Sequence, residues 1–186
     1  MTGKSRRSNA ERVAETRGAL LDAAAALFGR LGYEGTSTTA ILEASGLTRG
    51  AMYHHFADKR DLFVAVASRV ERALIADIEA TTATVTDARQ RVRAGVMLYL
   101  DAVSRPDRAR ILLRDAPAVL GPARWRELAD AAWTRQFGGK ASQGGTVLPM
   151  LLGAAIDRAA LALADGVSDP AAIKAAVGLL LDRMLG

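Results

Sequence analysis

The chain has 186 residues, which fits one compact unit or a small domain followed by a larger one, and its net charge of +5 suits an anionic partner. Half of the residues are hydrophobic but only 5% are aromatic, and alanine and leucine dominate, so we expect an all-α fold. The chain has no cysteine, which excludes disulfides, cysteine-ligated metals and thiol nucleophiles.

The first predicted helix runs from about Glu11 to Leu31, where apolar residues recur at spacings of three and four. Gly32 follows the last apolar position, and we expect it to end the helix in a left-handed conformation and open a loop to Gly35. The second helix, from about Thr38 to Ser45, follows hydroxyl residues that can cap it.

Two short helices flank the turn formed by Gly46, Leu47 and Thr48. Gly46 permits a sharp bend, Leu47 is expected to insert into the core, and Thr48 can cap a third helix that reaches about Phe56. This arrangement predicts a helix-turn-helix. Asp58 then caps a fourth helix that continues to about Ala80 with apolar residues every four positions.

The hydroxyl-rich segment Thr81 to Thr86 interrupts the helical pattern and marks a candidate domain boundary. Helices are predicted beyond it at about Asp87 to Val103, Asp107 to Asp115, Pro122 to Gln136, Val147 to Asp165 and Pro170 to Leu185. Breaks are predicted at Pro106, Pro117, Gly121 and Gly138 to Gly145.

The segment from Thr36 to Lys59, TSTTAILEASGLTRGAMYHHFADK, closely resembles the TetR (tetracycline-repressor-like) family of regulators, and the resemblance extends over roughly residues 16–66. It implies an N-terminal three-helix DNA-binding domain, residues 1–64, joined by a long fourth helix to a helical ligand-binding and dimerisation domain, residues 65–186. Leu42, where the family usually has alanine, and the glycine-rich segment 138–145 depart from the family pattern.

The second helix of a helix-turn-helix presents its N-terminal residues to base edges in the major groove. Arg49 can pair with guanine, although a phosphate contact or a solvated surface charge would also explain it. Gly50 and Ala51 lack bulk and allow close approach to bases, unless they only fill the helix. The resemblance implies backbone contacts from Tyr53, His54 and Lys59. The other expected DNA-facing residues are Thr38, Thr39, Thr48 and His55.

Thr38, His54 and His55 also have competing explanations. Thr38 can cap its helix instead of contacting a phosphate. His54 and His55 are the only histidines, but adjacent helical residues point about 100° apart, which makes them a poor metal pair. We therefore expect no metal and no cofactor. Met52 and Phe56 are expected on the core side of the same helix.

The resemblance implies a homodimer formed by the last two predicted helices, with an ordinary intramolecular core as the alternative. An effector would bind between them and the DNA-binding part and act through the fourth helix, usually by releasing a repressor from operator DNA. The apolar residues that can line its cavity are Met97, Tyr99, Leu100, Leu113, Trp125, Trp133 and Phe137.

Two other classes of function compete with a ligand-responsive regulator. An enzyme using an apolar helical pocket is disfavoured because the chain lacks cysteine, a phosphate-binding glycine motif and a His-Glu-x-x-His motif. A constitutive DNA-binding or scaffold dimer would need no effector. Neither a secretory signal nor a membrane span is recognisable, since the uncharged stretch from Ala141 to Ile156 is too short, so we expect a cytoplasmic protein.

Overall fold

The computed structural model describes residues 8–121, 123–125, 127 and 147–185, and these form helices joined by turns, with no strand among them. The all-α prediction is therefore confirmed for this part of the chain. The N-terminal helices are α1 (Asn9–Gly35), α2 (Thr38–Ser45), α3 (Arg49–His55) and α4 (Lys59–Thr82).

The remaining described helices follow a short turn after α4. They are α5 (Ala88–Val103), α6 (Pro106–Arg108), a π helix (Ala109–Asp115), α7 (Ala116–Leu120), α8 (Val147–Ala164) and α9 (Pro170–Leu185). Residues 123–125 and 127 are also helical, whereas most of the predicted helix from Pro122 to Gln136 and the glycine-rich segment 138–145 lie outside the described residues. None of the described helices is both long and apolar enough to cross a membrane.

The helix starts follow the capping chemistry of the sequence. The hydroxyl of Thr48 accepts the Ala51 N–H at 3.3 Å at the start of α3, and the Asp58 carboxylate accepts the Asp61 N–H at 2.7 Å at the start of α4. Both caps confirm the prediction, and Gly46 takes the left-handed conformation expected of the turn, with φ of 67°. At α2, however, the cap is Ser37, which accepts the Ala40 N–H at 3.1 Å, so the capping explanation for Thr38 is wrong.

The predicted end of the first helix is half right. Gly32 has the expected positive φ of 78°, but helical hydrogen bonding resumes after this kink and continues to Gly35 instead of giving way to a loop. Thr36 stabilises the extra turn, because its buried hydroxyl donates to the Gly32 carbonyl at 2.7 Å and its N–H donates to the Tyr33 carbonyl at 3.3 Å.

The predicted break at Pro117 is wrong, because the chain stays helical from Pro106 to Leu120. The π helix ends with the Ala116 N–H donating to the carbonyl of Ile111, five residues earlier. Pro117 then occupies the first turn of α7, where a missing N–H is tolerated.

Among the described residues, one hydrophobic cluster runs through both parts of the chain. Phe28 of α1 packs edge-on against Phe63 of α4, with ring centroids 5.0 Å apart, and both side chains are fully buried. Farther along α4, Leu74 joins the same cluster together with Leu100 of α5 and Ile156 of α8. Helix α4 therefore contributes to the packing of the helix-turn-helix and of the helices that follow it.

Candidate nucleic-acid interface

Helix α3 has one buried face and one exposed face. Met52 and Phe56 are 0% and 3% exposed and fix α3 to the core, as predicted for their spacing. Arg49, Tyr53 and His54 are exposed to solvent, with Tyr53 46% exposed. The helix thus presents a polar, cationic surface from a rigid support, which suits insertion into a groove lined by phosphates.

Contacts within the chain fix the positions of the side chains at the start of α3. The Arg49 guanidinium lies 5.6 Å from the centroid of the Tyr53 ring, a cation–π contact that aligns the two side chains. Arg49 forms no ion pair with the described residues, so its charge is not neutralised by them. Thr48 uses its hydroxyl oxygen as an acceptor for the cap, and the hydroxyl proton can still be donated to a phosphate. Gly50 is exposed and Ala51 half-buried beside them.

The two α2 threonines differ in exposure. Thr39 is exposed, whereas Thr38 is half-buried. Since neither caps α2, their hydroxyls are not committed to the first turn, and Thr39 is the better placed of the two for a contact outside the chain.

Lys59 has a structural role that sequence reasoning missed. Its ammonium donates hydrogen bonds to the carbonyls of Tyr33 at 2.8 Å and Thr36 at 3.1 Å, and it lies 4.1 Å from the centroid of the Tyr33 ring. These contacts join the start of α4 to the end of α1. An ammonium has three N–H groups, so one remains for the phosphate contact that the resemblance implies.

His54 and His55 lie side by side, with ring centroids 5.3 Å apart. Partial burial lowers the pKa of His55, and the neighbouring charges of His54 and Arg17 lower it further, so the neutral imidazole is favoured at neutral pH. The described residues contain no group of three or more potential ligands positioned to hold a metal ion.

Arg17 of α1 also reaches this surface, although its position in the sequence gave no sign of it. Its guanidinium lies 5.2 Å from the centroid of the Phe56 ring, and the side chain is exposed. A cation on α1 therefore lies beside the C-terminal end of α3, close to His55. Only the packing of α1 against α3 brings it there.

The residues expected to line an effector cavity belong to the core of the second part of the chain. Leu100, Leu113 and Trp125 are 0%, 9% and 9% exposed, and Met97 packs against the same cluster. Trp133 and Phe137 lie outside the described residues. The cavity therefore stays a prediction.

Polar groups that the sequence did not reveal lie within this apolar region. The buried hydroxyl of Tyr99 donates to the Asp157 carboxylate at 3.0 Å, and Glu71 of α4 is only 6% exposed. Burial raises the pKa of Tyr99 well above its ordinary value, and the negative charges of Asp157 and Glu71 raise it further. Tyr99 therefore stays protonated and acts as a hydrogen-bond donor.

The π helix and α7 touch the N-terminal helices through polar contacts. The Asp115 carboxylate accepts the Tyr33 N–H at 2.7 Å, just after the Gly32 kink. Arg110 donates to the carbonyl of Arg30 at 2.8 Å. Arg60, in the first turn of α4, donates to the carbonyl of Val119 at 3.1 Å. The N-terminal helices are thus hydrogen-bonded to the second part of the chain at several points.

Known transcription regulators are similar in sequence to this chain. FasR from Mycolicibacterium smegmatis, an HTH-type transcriptional activator, is 32% identical over 120 residues, which cover 64% of this chain and 55% of FasR. AcnR from Corynebacterium glutamicum, an HTH-type transcriptional repressor, is 42% identical over 59 residues, 32% of this chain and 31% of AcnR. The chain thus matches about half of the length of FasR and about a third of that of AcnR.

Solved structures match over nearly the whole chain. A TetR-family transcriptional regulator from Pectobacterium atrosepticum is 32% identical with a TM-score of 0.71, and the match covers 96% of both chains. Residues 20–66 match the family described as bacterial regulatory proteins, tetR family, and residues 89–186 match the tetracyclin repressor-like C-terminal domain. The chain therefore belongs to the TetR family of bacterial regulatory proteins.

Proposed function

We propose that this chain is a homodimeric transcription regulator that binds operator DNA in the cytoplasm, and that it acts as a repressor released by a small apolar molecule rather than as an enzyme. The exposed polar face of α3 carries the proposal. The proposal divides the chain into two domains: residues 1–64 bind DNA, and residues 65–186 bind the effector and the second subunit.

Arg49, at the first position of α3, is the residue that contacts base edges directly in this proposal. Its exposed, unneutralised guanidinium has the fork geometry that pairs with the O6 and N7 atoms of guanine, and such a pair contributes about 1–3 kcal/mol of discrimination between bases. Gly50 and Ala51 leave room for close approach. The remaining contacts fix the protein on the phosphate backbone and come from Thr38, Thr39, Thr48, Tyr53, His54, His55 and Lys59.

Exposed apolar side chains on the last two helices support the dimer. One face of this pair is buried in the chain's own core through Ile156 and Leu181, both 0% exposed. On other faces Leu151 of α8 and Leu179 and Leu180 of α9 are 56%, 64% and 38% exposed. An intramolecular core alone leaves these leucines in water, whereas a second copy of the two helices would cover them.

The effector site is proposed in the second part of the chain, where Met97, Leu100, Leu113 and Trp125 supply apolar surface. The Tyr99 hydroxyl and the Asp157 carboxylate lie in this region and offer the few polar groups that orient a ligand in an apolar pocket. The names of the relatives include an activator and a repressor, so repression is the part of the proposal that most needs a direct test.

Fluorescence anisotropy tests the proposal. The full chain is titrated against its own upstream DNA and against a scrambled duplex at about 0.15 M salt, where specific factors prefer their site by about 1,000-fold or more. Arg49→Ala should lower this preference at least about fivefold, because it removes about 1–3 kcal/mol of base discrimination. Tyr53→Phe removes only a phosphate contact, so it should weaken binding to both duplexes and leave the preference nearly unchanged. Arg72→Ala, at an exposed position in the middle of α4, is the matched control and should leave it unchanged.

Equal, weak binding to both duplexes that none of the variants changes would count against the upstream operator. A genome-wide selection of DNA fragments by the same protein would then decide the question. If that selection enriched no sequence, the regulator proposal would be wrong.

A further inference from the structure

A cleft of about 780 Å³ opens where α1 and α4 meet α6 and the π helix. This volume falls in the range of about 300–1,000 Å³ that is typical of small-molecule sites. Aliphatic side chains, most of them small, form part of its lining, and they are Ala25, Ala26, Val70, Ala73 and Ile111. The cleft lies at the junction of the DNA-binding helices with the second part of the chain.

Positive charge dominates the polar lining of this cleft. Arg30, Arg69, Arg108 and Arg110 line it, against one carboxylate, that of Asp107. Arg69 is paired with Asp22 outside the cleft at 2.7 Å, and Asp107 already has Arg105 3.8 Å away. Asp107 therefore does not neutralise the remaining guanidinium groups of the cleft, those of Arg30, Arg108 and Arg110.

Three of these arginines lack a charged partner among the described residues. Neither Arg30 nor Arg108 forms an ion pair there, and Arg110 uses one N–H on the neutral carbonyl of Arg30. A guanidinium presents a rigid fork of N–H donors that matches the geometry of carboxylates and phosphates. Such groups next to small apolar side chains suit a molecule with an anionic head and a slender apolar body.

We propose that this cleft binds a small amphipathic organic anion, a carboxylate or a phosphate monoester, held by Arg30 and Arg108 with its apolar body against the alanines of α1 and α4. The site shares no residue with the effector cavity predicted around Leu100 and Trp125. The exposed leucines of α8 and α9 do not border it either, so it is separate from the proposed dimer surface.

Binding there would act on the contact between the two parts of the chain. Gly29 and Asp107 approach so closely that a Cβ atom on Gly29 would lie 3.1 Å from the Asp107 Cβ. Arg110 holds the end of α1 through the Arg30 carbonyl beside the cleft. An anion that attracts the Arg110 guanidinium competes with this hydrogen bond, which ties occupancy of the cleft to the position of α1.

Isothermal titration calorimetry of the full chain without DNA tests the proposal, with octanoate and octyl phosphate as probes and uncharged 1-octanol as the matched ligand. At least one anion should bind once per chain and about tenfold more tightly than 1-octanol. Arg30→Gln and Arg108→Gln should each weaken that anion about tenfold, because each removes a charge-assisted contact. Arg72→Gln, outside the cleft, should have no effect.

Preference for octanoate or for octyl phosphate identifies the head group. No binding of either anion, equal affinity for 1-octanol, or anion binding that survives both arginine substitutions would overturn the proposal. So would a loss of DNA affinity in Arg30→Gln and Arg108→Gln without any ligand, because the two arginines would then serve the DNA backbone. The calorimetry contains no DNA, so its result is independent of the operator experiment.

Discussion

Replacing Lys59 with methionine separates its structural role from its predicted contact with DNA. Methionine keeps an unbranched apolar side chain but removes both hydrogen bonds to the end of α1 and the contact with the Tyr33 ring. Hydrogen bonds to charged groups contribute about 1.5–3 kcal/mol each. Because Lys59 is half-buried and partly solvated, we expect the free energy of unfolding to fall by about 2 kcal/mol in total.

Urea unfolding measures this loss. Lys174→Met is the matched control, since the Lys174 ammonium pairs with Asp101 on the surface, and such pairs contribute under about 1 kcal/mol. If Lys59→Met is no less stable than the control, the hydrogen bonds to α1 do not contribute to stability as argued.

The salt dependence of DNA binding tests the second role of Lys59. If its third N–H contacts a phosphate in each subunit of the proposed dimer, the slope of log K against log salt should decrease in magnitude by about 1.8 in Lys59→Met, about 0.9 for each phosphate. Measurements are made at temperatures where both proteins are fully folded. An unchanged slope and unchanged affinity would assign Lys59 to folding alone and remove it from the DNA-binding residues.

Three further predictions concern the contacts that hold the chain together. Asp115→Ala should lower the free energy of unfolding by about 1–2 kcal/mol, since the Tyr33 N–H loses a charged acceptor, whereas Asp77→Ala at an exposed position of α4 should change it by under about 0.5 kcal/mol in the same urea titration. Leu179→Arg should give a monomer by light scattering if α9 forms the dimer, and an unchanged mass would place the interface elsewhere. Because the pKa of His55 is lowered in the folded state, its contribution to stability is complete above the ordinary histidine pKa of about 6.5 and is lost as pH falls through the folded-state value. His55→Gln should flatten this part of the stability–pH curve, and an unchanged curve would contradict the burial argument.

The parts of the fold that the sequence predicted depend on local chemistry. Thr48 and Asp58 cap helices because a side-chain oxygen can reach an N–H three residues later in any context. Glycine is favoured wherever a short turn requires a positive φ, as it does at Gly46. Helical periodicity predicts in the same way that Met52 and Phe56, four residues apart, share the buried face of α3.

The features that were missed depend on contacts between distant residues. The helical turn after Gly32 adjoins Asp115, which lies 82 positions from its partner Tyr33. The continuous helix through Pro117 depends on a π helix, which apolar periodicity does not distinguish from an ordinary helix. Likewise, no local pattern places Arg17 beside Phe56 or the Lys59 ammonium on the carbonyls of α1.

These long-range contacts constrain how an effector can act. Phe63 and Leu74 belong to the same continuous cluster, so α4 is packed against the helix-turn-helix near its start and against the second part of the chain farther along. Separating α1, which supports α2 and α3, from α4 would expose Phe28 and Phe63, which are fully buried, at a cost of several kcal/mol. Allosteric coupling between sites is typically only about 1–3 kcal/mol. We therefore expect an effector to move α1, α2 and α3 together with α4 as one unit. In a dimer, this movement would change the distance between the two α3 helices without unfolding either subunit.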